Sequence, residues 1–225
     1  MMSKSKHKYI RFIIAISYIL AVNFTAHAGE INATVKDVNG ELIEDVVITA
    51  FPADPALLKS KVASNAIVDQ INKEFVDHVT PVLVNTSISF PNKDNIRHHV
   101  YSFSPAKKFE LKLYSGKPAA PVLFDKPGIV TIGCNIHDWM IGYIYVSETP
   151  YFAKTNHNGK ATVVGLPAGE YSVRVWHPRL DGTEEATTNH VTITEASSTS
   201  LEWKLTLKPE FKIPRESANK SFDYH

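Results

Sequence analysis

Residues 128–146 read GIVTIGCNIHDWMIGYIYV, two short runs rich in Ile, Val and Tyr on either side of the loop GCNIHDWM (133–140). The loop holds the chain's only cysteine, Cys134, with His137 three places on and Met140 three beyond that. A thiolate, an imidazole and a thioether on one short loop are ligand types that suit copper in two oxidation states, because sulfur favours Cu(I) while nitrogen also accepts Cu(II). The set lacks a second nitrogen. Upstream, NKDNIRHHV (92–100) offers His98 and His99. Successive strand residues face opposite sides, so only one of the two can point at the loop.

Simpler readings compete with each residue. A lone cysteine is often a small apolar core residue, and methionine plugs irregular gaps. Structural zinc favours several Cys or His in a closed tetrahedral set, which one thiolate with a thioether matches poorly. His78 and His177 lack partners at metal spacing and read as strand or turn residues, and His157 and His190 fall in polar turns. Asp138 reads as a solvated or capping residue, and Lys107-Lys108 as a solvated turn.

Working outward, AIVDQ, EFVDHV, PVLVN, TSISF, HHVYSFS and KKFELKLYSG are short runs rich in Val, Ile or Phe with turn residues between them. PVLFDKPGIVTIGC adds a strand pair around the Pro127-Gly128 turn. Strand signals at hairpin spacing from about Ala66 to Glu148, with almost no helical periodicity, predict a sandwich or Greek-key barrel. Earlier, INATVK, the turn Asp37 to Gly40 and ELIEDVVITAF read as two antiparallel strands or a bulged hairpin. Residues 52–66, with Pro52 and Pro55, read as a loop carrying one helical turn. Past Pro150, strands are expected at Ala161 to Val164, Tyr171 to Trp176, VTITEA and SLEWKLTL, followed by a polar tail.

The N-terminus reads as a targeting segment. Lys4, Lys6, Lys8 and Arg11 precede the apolar run Phe12 to Val22, and Ala26-His27-Ala28 has the small-x-small pattern of a signal-peptidase site. The apolar run is shorter than the ~20 residues a spanning helix needs. A signal peptide over 1–28, export to the periplasm and no membrane span after cleavage are therefore expected. Removing those four basic residues leaves 20 Lys+Arg against 23 Asp+Glu, a balance that gives no reason to expect nucleic acid. One cysteine cannot close an intramolecular disulfide, and beside a His and a Met in an oxidising compartment it favours metal. With 44% apolar and 21% charged residues the chain can bury a core. Nucleophile-elbow, phosphate-loop and H-E-x-x-H patterns are absent, so no enzyme is predicted.

These residues resemble the cupredoxins, the small blue-copper electron carriers. Cys134-x-x-His137-x-x-Met140 has the ligand-loop spacing of amicyanin, and plastocyanin and pseudoazurin use a similar loop with a longer His-to-Met interval. The upstream histidine of those families opens a strand and is commonly followed by Asn and Val. His98-His99-Val100 is similar, with His99 where Asn usually sits. The resemblance implies one type 1 copper site with His98, Cys134 and His137 as ligands and Met140 axial. It also implies single-electron transfer between periplasmic redox partners, with His137 as the port inside an apolar patch of Ile136, Trp139 and Ile141. The competing class is a copper-handling or interaction module without an electron-transfer role.

More narrowly, NKDNIRHHVYSFSPAKKFELKLY, GCNIHDWMIGYI and SETPYFAKT look like the plastocyanin-like proteins often labelled methylamine-utilisation proteins. INATVKDVNGELIEDVVITAF and AKTNHNGKATVVGLPAGEYSVRVWHP resemble two halves of a carboxypeptidase-regulatory-like, transthyretin-like sandwich. The implied organisation is a signal peptide (1–28), a split β-sandwich (29–52 plus 151–208), an inserted cupredoxin-like copper domain (53–150) and a flexible tail (209–225). The alternative is that residues 30–51 extend the cupredoxin sheet. The expected fold class is all-β, a Greek-key cupredoxin sandwich combined with a second small β-sandwich.

Overall fold

The computed structural model describes residues 28–58, 64–118 and 120–210. The expected signal segment and most of the expected tail lie outside the described residues. Among those described, no helix is long and apolar enough to cross a membrane. The fold is all-β. In chain order the strands are β1 (Gly29–Asp37), β2 (Val47–Pro52), β3 (Ser64–Ile67), β4 (Gln70–Ile71), β5 (Glu74–Phe75), β6 (Val79–Leu83), β7 (Thr86–Ser89), β8 (His98–Ser104) and β9 (Lys107–Tyr114). They continue with β10 (Val122–Phe124), β11 (Gly128–Cys134), β12 (His137–Ser147), β13 (Phe152–Lys154), β14 (Lys160–Leu166), β15 (Gly169–Trp176), β16 (Asn189–Ile193) and β17 (Ser198–Leu205). The expected helical turn is a 3-10 turn at Pro55–Leu57, capped where Asp54 Oδ1 accepts from the Ala56 N–H at 2.9 Å.

Two pairs of sheets enclose two separate cores. The sheets β14-β1-β17 and β13-β2-β15-β16 oppose each other. In β1 the period-2 alternation turns Ile31, Ala33 and Val35 inward, against Val46 just before β2, Ile48 and Ala50 on β2, and Val173 and Val175 on β15. The sheets β10-β7-β3 and β6-β12-β11-β8-β9 enclose a second core around Phe90, Val100, Phe124, Ile132 and Ile144, which also contains Cys134 and Met140.

The chain leaves and re-enters the first sandwich at adjacent points. β13 runs antiparallel to β2 with Phe152 opposite Thr49, and the Ala50 N–H donates to the Tyr151 carbonyl at 2.8 Å. The second face of β2 is buried too, with Val47 packed on Val79 and Tyr145 of the other sandwich. The Trp176 ring lies 6.0 Å from Tyr143 and 5.7 Å from Tyr145. Thr49 donates to the Tyr145 hydroxyl, which donates to Glu184 Oε1 at 2.6 Å. Lys154 spans Asp45 at 2.9 Å and Asp77 at 3.3 Å, one from each side of the junction.

Several local expectations are corrected. β1 and β2 are not a hairpin. The Asp37–Gly40 turn closes only an isolated bridge from Lys36 to Leu42, after which the chain crosses to the opposite sheet, because both apolar faces must meet to form the core. The strands flanking Pro127-Gly128 likewise belong to opposite sheets of their sandwich. EFVDHV is not one strand, since Asp77 adopts a left-handed φ of 63° between β5 and β6. His190 lies in β16 opposite Ser172 rather than in a turn.

Candidate metal centre

The register of β11 against β12 builds the loop. Gly133 pairs with Ile141, yet the next pair is Cys134 with His137, so Asp138–Met140 is surplus on one side. This irregularity turns both His137 and Met140 inward while Asp138 stays exposed. Cys134 also pairs with Val100 of β8, which places β8's first residue, His98, beside the sulfur. The Tyr101 ring lies over Gly133, where a Cβ would come within 3.2 Å of it, so a larger residue at 133 would have to push the ring aside by a few tenths of an ångström.

Two imidazole nitrogens converge on the thiol. Cys134 Sγ is 3.8 Å from His98 Nδ1 and 3.7 Å from His137 Nδ1, and the two rings are 5.0 Å apart. One ligand atom from each of the three residues lies within 4.8 Å of the others. A metal bonded at about 2.0 Å to nitrogen and about 2.3 Å to sulfur, with about 120° between them, would separate S and N by roughly 3.7 Å. The donor set therefore fits one ion held by His98, Cys134 and His137. His98 is fully buried, Cys134 is 3% exposed and His137 9% exposed, so the ring of His137 is the part of the set nearest solvent. Met140 is buried in the same apolar cluster as Cys134.

His99 faces the other way. Its Nε2 is 3.0 Å from Glu110 Oε1, close enough for an ion pair but misaligned for a hydrogen bond, and its ring lies 5.8 Å from Tyr101. Trp139 is half-buried with its ring 5.2 Å from His137, and Ile136 is exposed beside them. His177 opens the turn after β15, where its Nδ1 accepts from the Arg179 N–H at 3.2 Å.

Residues behind His98 carry weight that the sequence reading did not assign. Asp94 Oδ2 lies 2.8 Å from His98 Nε2, and the carboxylate also accepts the Asn72 and Lys73 N–H groups at 2.7 and 2.8 Å. Burial alone would raise the Asp94 carboxyl, but donation from Lys73, His98 and Asn72 outweighs it and holds it below its usual value. A charged acceptor on Nε2 keeps the proton there and leaves His98 Nδ1 with a free lone pair toward Cys134. Asn92 closes the same turn, donating to the Ile96 and Tyr114 carbonyls. Opposite His98, burial pushes the Tyr114 phenol up to about 12, against the opposing hydrogen bond from Gln70. A carboxylate four residues before a strand-opening histidine was the one signal available for Asp94. Gln70 and Tyr114 carry none.

No family model and no curated protein matches this chain. Among solved structures, a reduced tryptophan-to-tyrosine mutant of amicyanin is similar at 19% identity and TM-score 0.33, over 36% of this chain and 80% of that one. A purple cupredoxin from Nitrosopumilus maritimus is similar at 20% identity and TM-score 0.32, over 36% and 96%. A copper-containing nitrite reductase from Thermus scotoductus SA-01 reaches 25% identity and TM-score 0.36, over 44% of this chain and 27% of that enzyme. At these scores no residue role is carried over from them.

Proposed function

We propose that the chain is an exported type 1 copper protein that passes single electrons between periplasmic redox partners and catalyses no reaction of its own. The reading rests on one observation, the two imidazole Nδ1 atoms at 3.7 and 3.8 Å from a buried lone thiol. Copper would supply a one-electron couple held by a covalent thiolate bond, with the potential tuned by a weak axial donor. His98, Cys134 and His137 are the proposed ligands and Met140 the proposed axial donor. Cys134 and His98 sit on paired strands inside a packed core, so their positions need not change with the charge of the site. His137, at the loop end beside the exposed Ile136, is the proposed contact for partners.

Residues 53–150 are proposed to form the copper domain, inserted into a sandwich made by 29–52 and 151–208. The supporting observation is that the chain leaves and returns through the paired strands β2 and β13.

The test is to add Cu(II) to purified protein lacking residues 1–28 and record visible absorption, then to repeat with Cys134→Ser. An intense thiolate-to-copper band in the first that vanishes in the second supports the reading. No band in the first overturns it. A band that survives Cys134→Ser overturns the ligand assignment. Copper that exchanges rapidly with a soluble chelator and cannot be reversibly reduced would favour copper handling over electron transfer.

A further inference from the structure

We propose that the small hairpin β4–β5 is a positioning clamp for His98, and that Gln70 is its central positioning residue. The inference rests on His98 being a ligand of the proposed copper site.

Gln70 grips both sides of His98. Upstream in the chain, its N–H donates to the Pro91 carbonyl at 3.0 Å, its carbonyl accepts from the Lys93 N–H at 2.9 Å, and its Nε2 donates to the Phe90 carbonyl at 3.0 Å. Across the sheet, the same Nε2 donates to the Tyr114 hydroxyl at 2.6 Å, and Tyr114 is the cross-strand partner of His98. One turn further on, the hairpin's Asn72 and Lys73 N–H groups hold Asp94, the carboxylate on His98 Nε2. Lys93 Nζ, at 2.6 Å from Asp69 Oδ2, ties the outer edge.

The hairpin contributes little to its own stability. Two residues per strand are too few for independent stability, and of the four strand residues only Gln70 and Phe75 are buried. Its turn places Asn72 and Lys73 at φ of 56° and 59°, a region that Asn tolerates and Lys rarely adopts. Gln70 is fully buried, yet its Oε1 has no hydrogen-bond partner. A buried orphan acceptor and a left-handed lysine are local costs of a hairpin that also sends Phe75 into the second core. They secure the path of residues 90–94 and the orientation of the His98 ring.

The test compares Gln70→Leu and Tyr114→Phe with the wild type, first metal-free and then with Cu(II). In the metal-free protein, exchange of the His98 Nε2 proton, followed by NMR, is expected to speed up about tenfold or more in Gln70→Leu, the effect of about one lost buried hydrogen bond on the free energy of local opening. Amides of β15 in the other sandwich should be unchanged. With Cu(II), both variants should keep a thiolate band but with altered intensity ratios and altered copper hyperfine splitting. Tyr114→Phe, which leaves the bond from Gln70 to Phe90 in place, serves if Gln70→Leu does not fold. Wild-type proton exchange and spectra together with a lowered melting temperature would reduce Gln70 to a structural residue and overturn the proposal. Absence of any band in the wild type, with His98 still loosened by Gln70→Leu, would overturn the copper reading and leave the clamp standing.

Discussion

Asp94 presents one carboxylate to an imidazole and to two backbone N–H groups, so its charge and its position are fixed together. Asp94→Asn exchanges the charged acceptor for a neutral amide on His98 Nε2, and copper affinity is expected to fall by about 10–100-fold, read by competition with a chelator. Unchanged affinity would show that His98 is oriented without it. Met140→Leu nearly conserves volume in a packed site, so unfolding free energy should change by less than about 1.5 kcal/mol. The same substitution removes a sulfur donor. Because Cu(II) depends on a further donor more than Cu(I) does, the reduction potential should rise, as read by voltammetry. An unchanged potential would make Met140 a packing residue. At this scale the sequence was legible where chemistry is rare, at a single cysteine with His137 and Met140 near it. The supports were not, because Gln70 and Tyr114 look like any polar or aromatic strand residue until the fold brings them to His98.

The segment from His177 to Thr188, between β15 and β16, carries two groups that burial shifts in opposite directions. Burial, with Arg179 adding to it, pushes His177 from its ordinary 6.5 down to about 4, so the folded protein holds it neutral. Its contribution to stability is complete above pH 6.5 and is lost as pH falls toward 4. Burial raises Glu184, against the opposing hydrogen bond from Tyr145, so its contribution is complete below its ordinary 4.5 and is lost as pH rises through the raised value. The two windows overlap above pH 4.5, where the contributions oppose each other, so melting temperature against pH separates them only in single variants. His177→Gln is expected to remove the loss of stability on acidification and Glu184→Gln the loss on raising the pH, keeping an acceptor for Tyr145. Profiles parallel to the wild type in both variants would show that neither group titrates differently on folding. The strands themselves were legible as short β-branched runs, but their partners were not. β1 and β2 read as two antiparallel strands or a bulged hairpin from their turn and pair in different sheets, because local turn chemistry does not specify which apolar face opposes which.

At the scale of the whole molecule, the two cores meet through Val47, Val79, Tyr145 and Trp176, with Thr49, Tyr145 and Glu184 linked by hydrogen bonds between them. Replacing residues 53–150 by a short linker is expected to leave a sandwich that unfolds cooperatively, since β2 and β13 already run side by side at the junction. It should be less stable than the full chain, because Val47 and Trp176 lose their cover. Loss of any cooperative transition would mean that the outer sandwich depends on the inner one to fold.

The sequence by itself determined the all-β class, through period-2 alternation and turn residues, and it determined the candidate ligands, because thiolate, imidazole and thioether are chemically distinct wherever they fall. The resemblance singled out His98 of the two adjacent histidines, but only the tertiary structure decided what turns it toward the thiol and holds it there. That choice depends on register: β11 brings Cys134 opposite Val100, which sends His98 inward and His99 out toward Glu110. Register is set by contacts between residues far apart in the chain, and no local pattern records them.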